Sequence, residues 1–418
     1  MRLLNVRSRQ LHTRYDDNIP PYAILSHTWD QQEAEVSFED MKRPDHVHMP
    51  RYDKIENTCR LAEIEGLEWV WIDTCCIDKS SSAELSEAIN SMFRWYEKAA
   101  ICFAHLADVQ RSDTISDLDV AFENCRWFTR GWTLQELLAP GKLVFYDRAW
   151  GVIGDRASLA GQIQRRTAIP AEYLSEHRDD FREARVGERM SWASDRNTTR
   201  REDLAYCLFG IFDIHMPLLY GEGDHAFRRL QEEILKTSVD DSIFAWSLDD
   251  IVPSLTAGRE VDFSHRPSSS PLASSPRLFY CLKHSVMSHI WEARKTWEVT
   301  GRGLRIELPI YRGASSPVPF ILLNGVLGGD INSQILALSL RSSSSSEEYI
   351  RGNLWMVDWN YLMGARRDTI YIRGSGVGRG RDDLSALNWL QVGYLHLKVA
   401  AGLGDRIIAT CSLAIGLG

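Results

Sequence analysis

Tyr22-Ala-Ile-Leu-Ser26 is the stretch on which the reading of this chain turns. It follows Pro20-Pro21, carries no charge, and runs directly into His27-Thr28-Trp29. A short apolar run bounded by turn formers predicts a strand buried on both faces. The signature returns at Trp69-Val-Trp-Ile-Asp73, at Ala99 to Leu106 and at Lys142-Leu-Val-Phe-Tyr-Asp147. Helical patterns lie between these runs. Arg51 to Glu65 places Ile55, Cys59, Leu61, Ala62 and Ile64 at helical spacing, with Gly66 to close the segment. A second helix starts at Ser82, read as its capping serine, with Leu85, Ala88, Ile89, Met92, Phe93 and Tyr96 as its apolar stripe. Strands joined by helices of this length imply right-handed crossovers and a parallel sheet covered on both faces.

In such sheets ligands bind at the carboxyl ends of the strands. Those ends carry Ser26-His27-Thr28-Trp29, Asp73-Thr74-Cys75-Cys76 and His105 to Asp108. Before the fourth strand stands Trp127-Phe-Thr-Arg130-Gly-Trp132-Thr-Leu-Gln-Glu136-Leu137-Leu138-Ala-Pro140. Its spacing predicts a helix on which Trp132 and Glu136 share a face while Leu134, Leu137 and Leu138 bury. A carboxylate beside an indole can hold a flat, cationic or sugar-bearing ligand. The same pattern also describes a capped surface helix without chemistry.

The chain has 418 residues, room for about two domains. Its 14 tryptophans argue for large aromatic cores or aromatic ligand surfaces. A formal net charge of -9 argues against a general phosphate-backbone binder, so no nucleic-acid partner is expected. No apolar run is long enough to span a bilayer, and Met1 to Gln10 lacks an apolar signal core. None of the eight cysteines forms a C-x-x-C pair, so zinc and redox spacings are absent and no metal is expected. Reduced core thiols fit a cytoplasmic location. Cys76 with His27 suggests a cysteine hydrolase, but no protease signature supports it. The glycines from Gly374 to Gly380 follow neither a dinucleotide nor a P-loop spacing and read as a turn.

Residues 1–250 therefore read as an α/β domain with a mostly helical extension from about residue 150. Residues 251–276 are a Ser/Pro-rich linker. Residues 277–418 form a smaller β-rich accessory domain, because Trp297 to Gly301 and Gly303 to Leu308 alternate apolar and polar residues. Pro309 interrupts the second of these runs, and Ser342 to Ser346 marks a hairpin tip.

Tyr22-Ala-Ile-Leu-Ser-His27-Thr28-Trp29 resembles the fungal heterokaryon-incompatibility (HET) domain family. Three further blocks agree in order: Gly66 to Asp78, Arg126 to Pro140, and Arg189-Met-Ser-Trp-Ala193 leading to Leu219-Tyr-Gly-Glu-Gly223. Together they cover about residues 1 to 245. Asp30 stands where the family commonly has Gly, and Lys79 where Gln is common. The resemblance implies a role in non-self recognition and regulated cell death after fusion of incompatible hyphae. Such domains have been proposed as distant relatives of Toll/interleukin-receptor (TIR) domains. Trp132-Thr-Leu-Gln-Glu136-Leu137 is similar to the TIR pattern Trp-Cys-x-x-Glu-Leu, with Thr133 in place of Cys.

By that resemblance the sheet is TIR-like and Glu136 is a catalytic carboxylate that cleaves NAD, the substrate rather than a cofactor. The bond broken is N-glycosidic, and a carboxylate beside the ribose stabilises the developing positive charge. His27, Trp29, Asp73, Arg130 and Trp132 are the companion substrate-binding residues. Each has a plain structural alternative: a satisfied histidine, a core lid, a loop cap, a surface ion pair and a packing indole, in that order. The competing function is a non-enzymatic signalling adaptor that self-assembles or binds an upstream receptor. Exposed apolar residues on the sheet edge or the Ser82 helix would favour it.

Overall fold

The computed structural model describes residues 1–15, 18–29, 35–110, 115–175, 179–247 and 270–283. Beyond these it describes the stretches 287–288, 297–300, 303–312, 320–327, 334–342, 348–357, 365–373, 395–400 and 408–413. Asp30, most of the 251–276 stretch, Ser343 to Ser346 and the glycines from Gly374 lie outside the described residues. The chain divides into two compact units. One comprises Met1–Glu183 with Asp195–Leu230, the other Ala184–Ser194 with Gln231–Gly418.

The first unit is built on strands β1 (Arg2–Asn5), β2 (Leu11–Thr13), β3 (Ala23–His27), β4 (Trp69–Trp71), β5 (Ile101–His105), β6 (Leu143–Tyr146) and β7 (Val152–Asp155). They form one sheet in the order β2-β1-β4-β3-β5-β6-β7. The central four are parallel, with antiparallel strands outside them on both sides. The helices of this unit are α1 (Tyr52–Ile64), α2 (Asp73–Cys76), α3 (Ser82–Lys98), α4 (Ile115–Glu123), α5 (Thr133–Leu138) and α6 (Ala160–Thr167). The sheet is thus α/β and largely parallel, as the alternation of runs requires.

Local chemistry sets the boundaries. Gly66 ends α1 at φ +74°, a left-handed conformation that favours glycine, and Leu67 N–H returns to the Ala62 carbonyl at 2.8 Å. Helix α3 is capped by Ser81, one residue before the serine expected from the sequence: its side chain accepts from Glu84 N–H. The inner face of α3 is clamped to the first parallel strand. Tyr22 donates to the Trp95 carbonyl at 2.5 Å and Tyr96 to the Leu25 carbonyl at 2.9 Å. Trp71, wholly buried, meets Trp95 and Tyr96 edge-on.

Two features depart from the pattern reading. Residues beyond 150 open with β7, antiparallel to β6, where helix was expected; four residues of an edge strand are too few to show a period. The run Asp203 to Phe212 is two short helical pieces, Asp203–Tyr206 and Phe209–Phe212, not one helix.

The second unit holds strands β8 (Met287–Ser288), β9 (Trp297–Thr300), β10 (Gly303–Tyr311), β11 (Phe320–Leu327), β12 (Gln334–Ser342), β13 (Glu348–Val357) and β14 (Arg366–Arg373). Their order is β8-β11-β12-β13-β14-β10-β9, and β10 also pairs with β11, so five strands close on themselves. Pro309 does not end β10. It pairs with Arg367 of β14, and among the described residues nothing pairs with the other edge of β10 there, since β9 reaches Ile306.

This unit also encloses a charged clasp. Arg185, 4% exposed at its side chain, donates to Asp240 at 2.8 and 3.1 Å, to Asp241 at 3.1 Å and to the Asn324 carbonyl at 2.5 Å. Asn324 N–H returns to Asp241 at 2.8 Å. Gly187 lets the backbone in close: a Cβ there would stand 2.8 Å from the Ser242 carbonyl oxygen.

Candidate functional site

The parallel strands lie in the order β4-β3-β5-β6, so the chain moves one way from β3 to β4 and the other way from β4 to β5. That reversal makes the carboxyl ends of β3 and β5 a topological switch point, where open α/β sheets leave a crevice for ligands. His27 and His105 are in register there.

Successive strand residues face opposite sides of a sheet, so Ser26 and His27 divide the strand end between them. On the Ser26 side the indole Nε1–H of Trp127 donates to Ser26 Oγ at 2.8 Å, and Ser26 O–H donates to Glu136 Oε2 at 2.5 Å. An indole nitrogen can only donate, so the serine hydrogen is left for the carboxyl group. Glu136 is 7% exposed, and the whole of α5 is buried with it. A solvated surface glutamate is thereby excluded. Burial pushes the carboxyl up to about 8; the Ser26 hydrogen bond opposes this and the charge of Asp73 adds to it. At neutral pH Glu136 is therefore mostly a neutral acid. Tyr96 on α3 also hydrogen-bonds it.

On the His27 side the imidazole has a side chain only 2% exposed. Its Nδ1 stands 3.8 Å from Asp73 and its Nε2 stands 3.9 Å from Glu35 with no hydrogen-bond partner. Burial and the nearby cations Lys54 and Lys79 hold it well below the usual histidine range. His105 is stacked on Trp150 with centroids 4.1 Å apart, and burial lowers it to about 4. Lys54 from α1 is buried against Glu35 and the Thr28 carbonyl. Asp73, at the start of α2, lies between the two sides and accepts from Trp29 Nε1–H at 3.0 Å. Trp29 itself is 43% exposed.

Of the six residues expected from sequence, His27, Trp29, Asp73 and Glu136 come together here. Arg130 and Trp132 turn elsewhere. Arg130 reaches Thr199 Oγ1 at 3.4 Å, and its backbone bridges to Asn197. Trp132 hydrogen-bonds Asp203, which also accepts from the Tyr220 hydroxyl at 3.0 Å. The shared face expected for Trp132 and Glu136 is not used: Trp132 is drawn to Asp203, whereas Glu136 turns to Ser26. Pattern reading missed Tyr96 and Trp127, which looked like ordinary core aromatics, and passed over Ser26 as a strand-end polar residue. A hydroxyl inside an otherwise apolar strand was the available signal for Ser26, because a buried hydroxyl must find partners.

Among the described residues no cluster of His, Cys, Asp and Glu is arranged to hold a metal, and no helix is long and apolar enough to cross a membrane. Cys59, Cys75 and Cys76 are buried free thiols, with Cys59 and Cys75 raised above the usual range. Cys76, the thiol that the sequence set beside His27, is only 2% exposed, which denies it the access a nucleophile needs.

Residues 22–121 match the family model for heterokaryon incompatibility protein (HET), and residues 225–311 match a domain of unknown function, DUF8212. The vegetative incompatibility protein HET-E-1 of Podospora anserina is 52% identical over 233 residues, which is 54% of this chain and 17% of that protein. The chain thus matches less than a fifth of that relative's length. No solved structure matches.

Proposed function

We propose that this chain, whose amino-terminal domain belongs to the heterokaryon incompatibility family, acts in fungal incompatibility and cell death by hydrolysing NAD to nicotinamide and ADP-ribose. The observation that carries the reading is Glu136: a buried carboxyl group at the switch point of a parallel sheet, hydrogen-bonded to Ser26 and Tyr96, where burial outweighs the nearby charge of Arg196. A carboxyl group kept from ionising at such a place is suited to chemistry more than to cohesion.

Nicotinamide is bound in NAD as a cation. Its arrival beside Glu136 favours the charged carboxylate, so the substrate itself draws the proton off. The carboxylate then faces the ribose as the glycosidic bond breaks and stabilises the oxocarbenium-like charge. Nicotinamide leaves with the bonding pair and needs no proton. Water adds to the ribose carbon and releases one proton. In this reading Asp73 meets the ribose and the half-exposed Trp29 a flat ring, a role that their mutual hydrogen bond and the exposed indole support.

The test is nicotinamide release by the purified chain at high protein concentration. Wild type is expected to turn over, with kcat/KM rising towards a plateau above about pH 8 as free Glu136 ionises. A folded Glu136→Gln is expected to lose at least about a hundredfold in rate. Equal rates in the two proteins would end the proposal. The adaptor reading has one observation in its favour, the 60% exposed Val152 on edge strand β7. The α3 surface gives it none, since Ala88, Ile89, Met92, Phe93, Trp95 and Tyr96 are buried.

A further inference from the structure

We infer that Arg126 and Lys79, the two cations that grip Trp29, form the subsite for the pyrophosphate of a dinucleotide. This rests on the NAD reading for its ligand, but not for its geometry.

Arg126 Nη2 donates to the Trp29 carbonyl, and its own backbone N–H donates to Asp108 at 2.7 Å, just past β5. Lys79 Nζ lies 3.7 Å from the centroid of the Trp29 ring. Neither makes an ion pair among the described residues. Several other cations of this unit are matched, Arg2 with Glu84, Lys54 with Glu35, Arg165 with Glu123 and Arg182 with Glu97. Arg126 spends one terminal nitrogen on a carbonyl and leaves the rest of its fork uncommitted, and a planar fork suits bidentate phosphate binding.

The placement is equally specific. Trp29 follows β3, Lys79 follows β4 by way of α2, and Asp108, which fixes the Arg126 backbone, follows β5. The pair thus stands at the strand ends where the sheet order reverses, near His27, on which Lys79 acts as a charge. Two cations without an ion pair at salt-bridge distance, beside an exposed indole, suit an anionic ligand with a flat group, and the charges of Asp73 and Glu35 that act on Lys79 leave Arg126 the stronger of the two. Arg130, which the sequence marked for phosphate, faces Thr199 instead.

The experiment is calorimetric titration of the full chain carrying Glu136→Gln with ADP-ribose and, separately, with adenosine. ADP-ribose is expected to bind more tightly than adenosine, with affinity that falls as salt rises. Adding Arg126→Met or Lys79→Met is expected to weaken ADP-ribose about tenfold each and to leave adenosine unchanged. Adding Arg126→Lys, which keeps the charge but not the fork, is expected to fall between; it serves in place of the methionine variant should that fail to fold. Equal affinity for the two ligands, or unaltered ADP-ribose binding in both methionine variants, would overturn the subsite. Loss of the NAD reading shows separately, as absent nicotinamide release by wild type with ADP-ribose binding retained.

Discussion

Glu136 and Asp240 are both buried carboxyl groups, and the molecule treats them in opposite ways. Asp240 sits against the Arg185 guanidinium at 2.8 Å and accepts two backbone N–H groups. Although burial works against it, these partners hold it below the usual carboxylate range. Asp241 shares the same guanidinium and faces Asp240; burial, opposed by Arg185, pushes it up to about 7. Glu136 accepts from the Ser26 hydroxyl, feels Arg196 as a nearby charge, and is still pushed up to about 8 by burial. Burial alone therefore does not mark a site. Asp240 is held charged by a guanidinium and two backbone donors at hydrogen-bonding distance, whereas at Glu136 burial outweighs the Ser26 hydroxyl and the nearby charge of Arg196.

Breaking the clasp should have the largest effect. Arg185→Met leaves Asp240 and Asp241 buried without their partner and is expected to cost about 3–5 kcal/mol in denaturant unfolding. A cost below about 1 kcal/mol would mean that the two regions do not differ as described.

The pH dependence of stability comes next. Between 4.5 and about 8 the folded chain holds a proton on Glu136 that the unfolded chain has released, so this group's contribution falls as pH rises through that window. His27 and His105 act in the other direction. Both are lowered from 6.5, so their stabilising contribution is lost as pH falls below that value. The first unit should be most stable near pH 6.5, and Glu136→Gln should flatten the alkaline slope in thermal melts. An unchanged slope would show that Glu136 is already ionised.

Smaller effects sharpen the contrast. Trp127→Phe removes the donor to Ser26 and is expected to cost about 1–2 kcal/mol. Arg130→Ala should lie within about 1 kcal/mol of wild type and leave nicotinamide release intact, because among the described residues its guanidinium is hydrogen-bonded to Thr199 and acts on Glu136 through its charge alone. A large loss of activity there would return Arg130 to the site.

The parallel strands and the helices α1 and α3 were legible because long apolar periods and short apolar runs report burial directly. The strand ends followed from them, and so did the meeting of His27, Trp29 and Asp73. The state of Glu136 was not legible. Spacing put it on a face with Trp132, yet the partners that define it are Ser26, 110 positions away, and Tyr96. Edge strand β7 and the closure of β10 on β11 also depend on pairing partners that no local period reveals. Arg185 shows the same limit: nothing in its own neighbourhood announces Asp240 or Asn324.

The most direct measurement is the protonation state of Glu136 itself, read by infrared difference spectroscopy of wild type against Glu136→Gln across pH 5 to 10. A protonated carboxyl stretch that persists at pH 7, is lost around pH 8 and is missing from Glu136→Gln is the predicted result. A carboxylate signal already present at pH 6 would contradict the account, because Glu136 would then be as well compensated as Asp240.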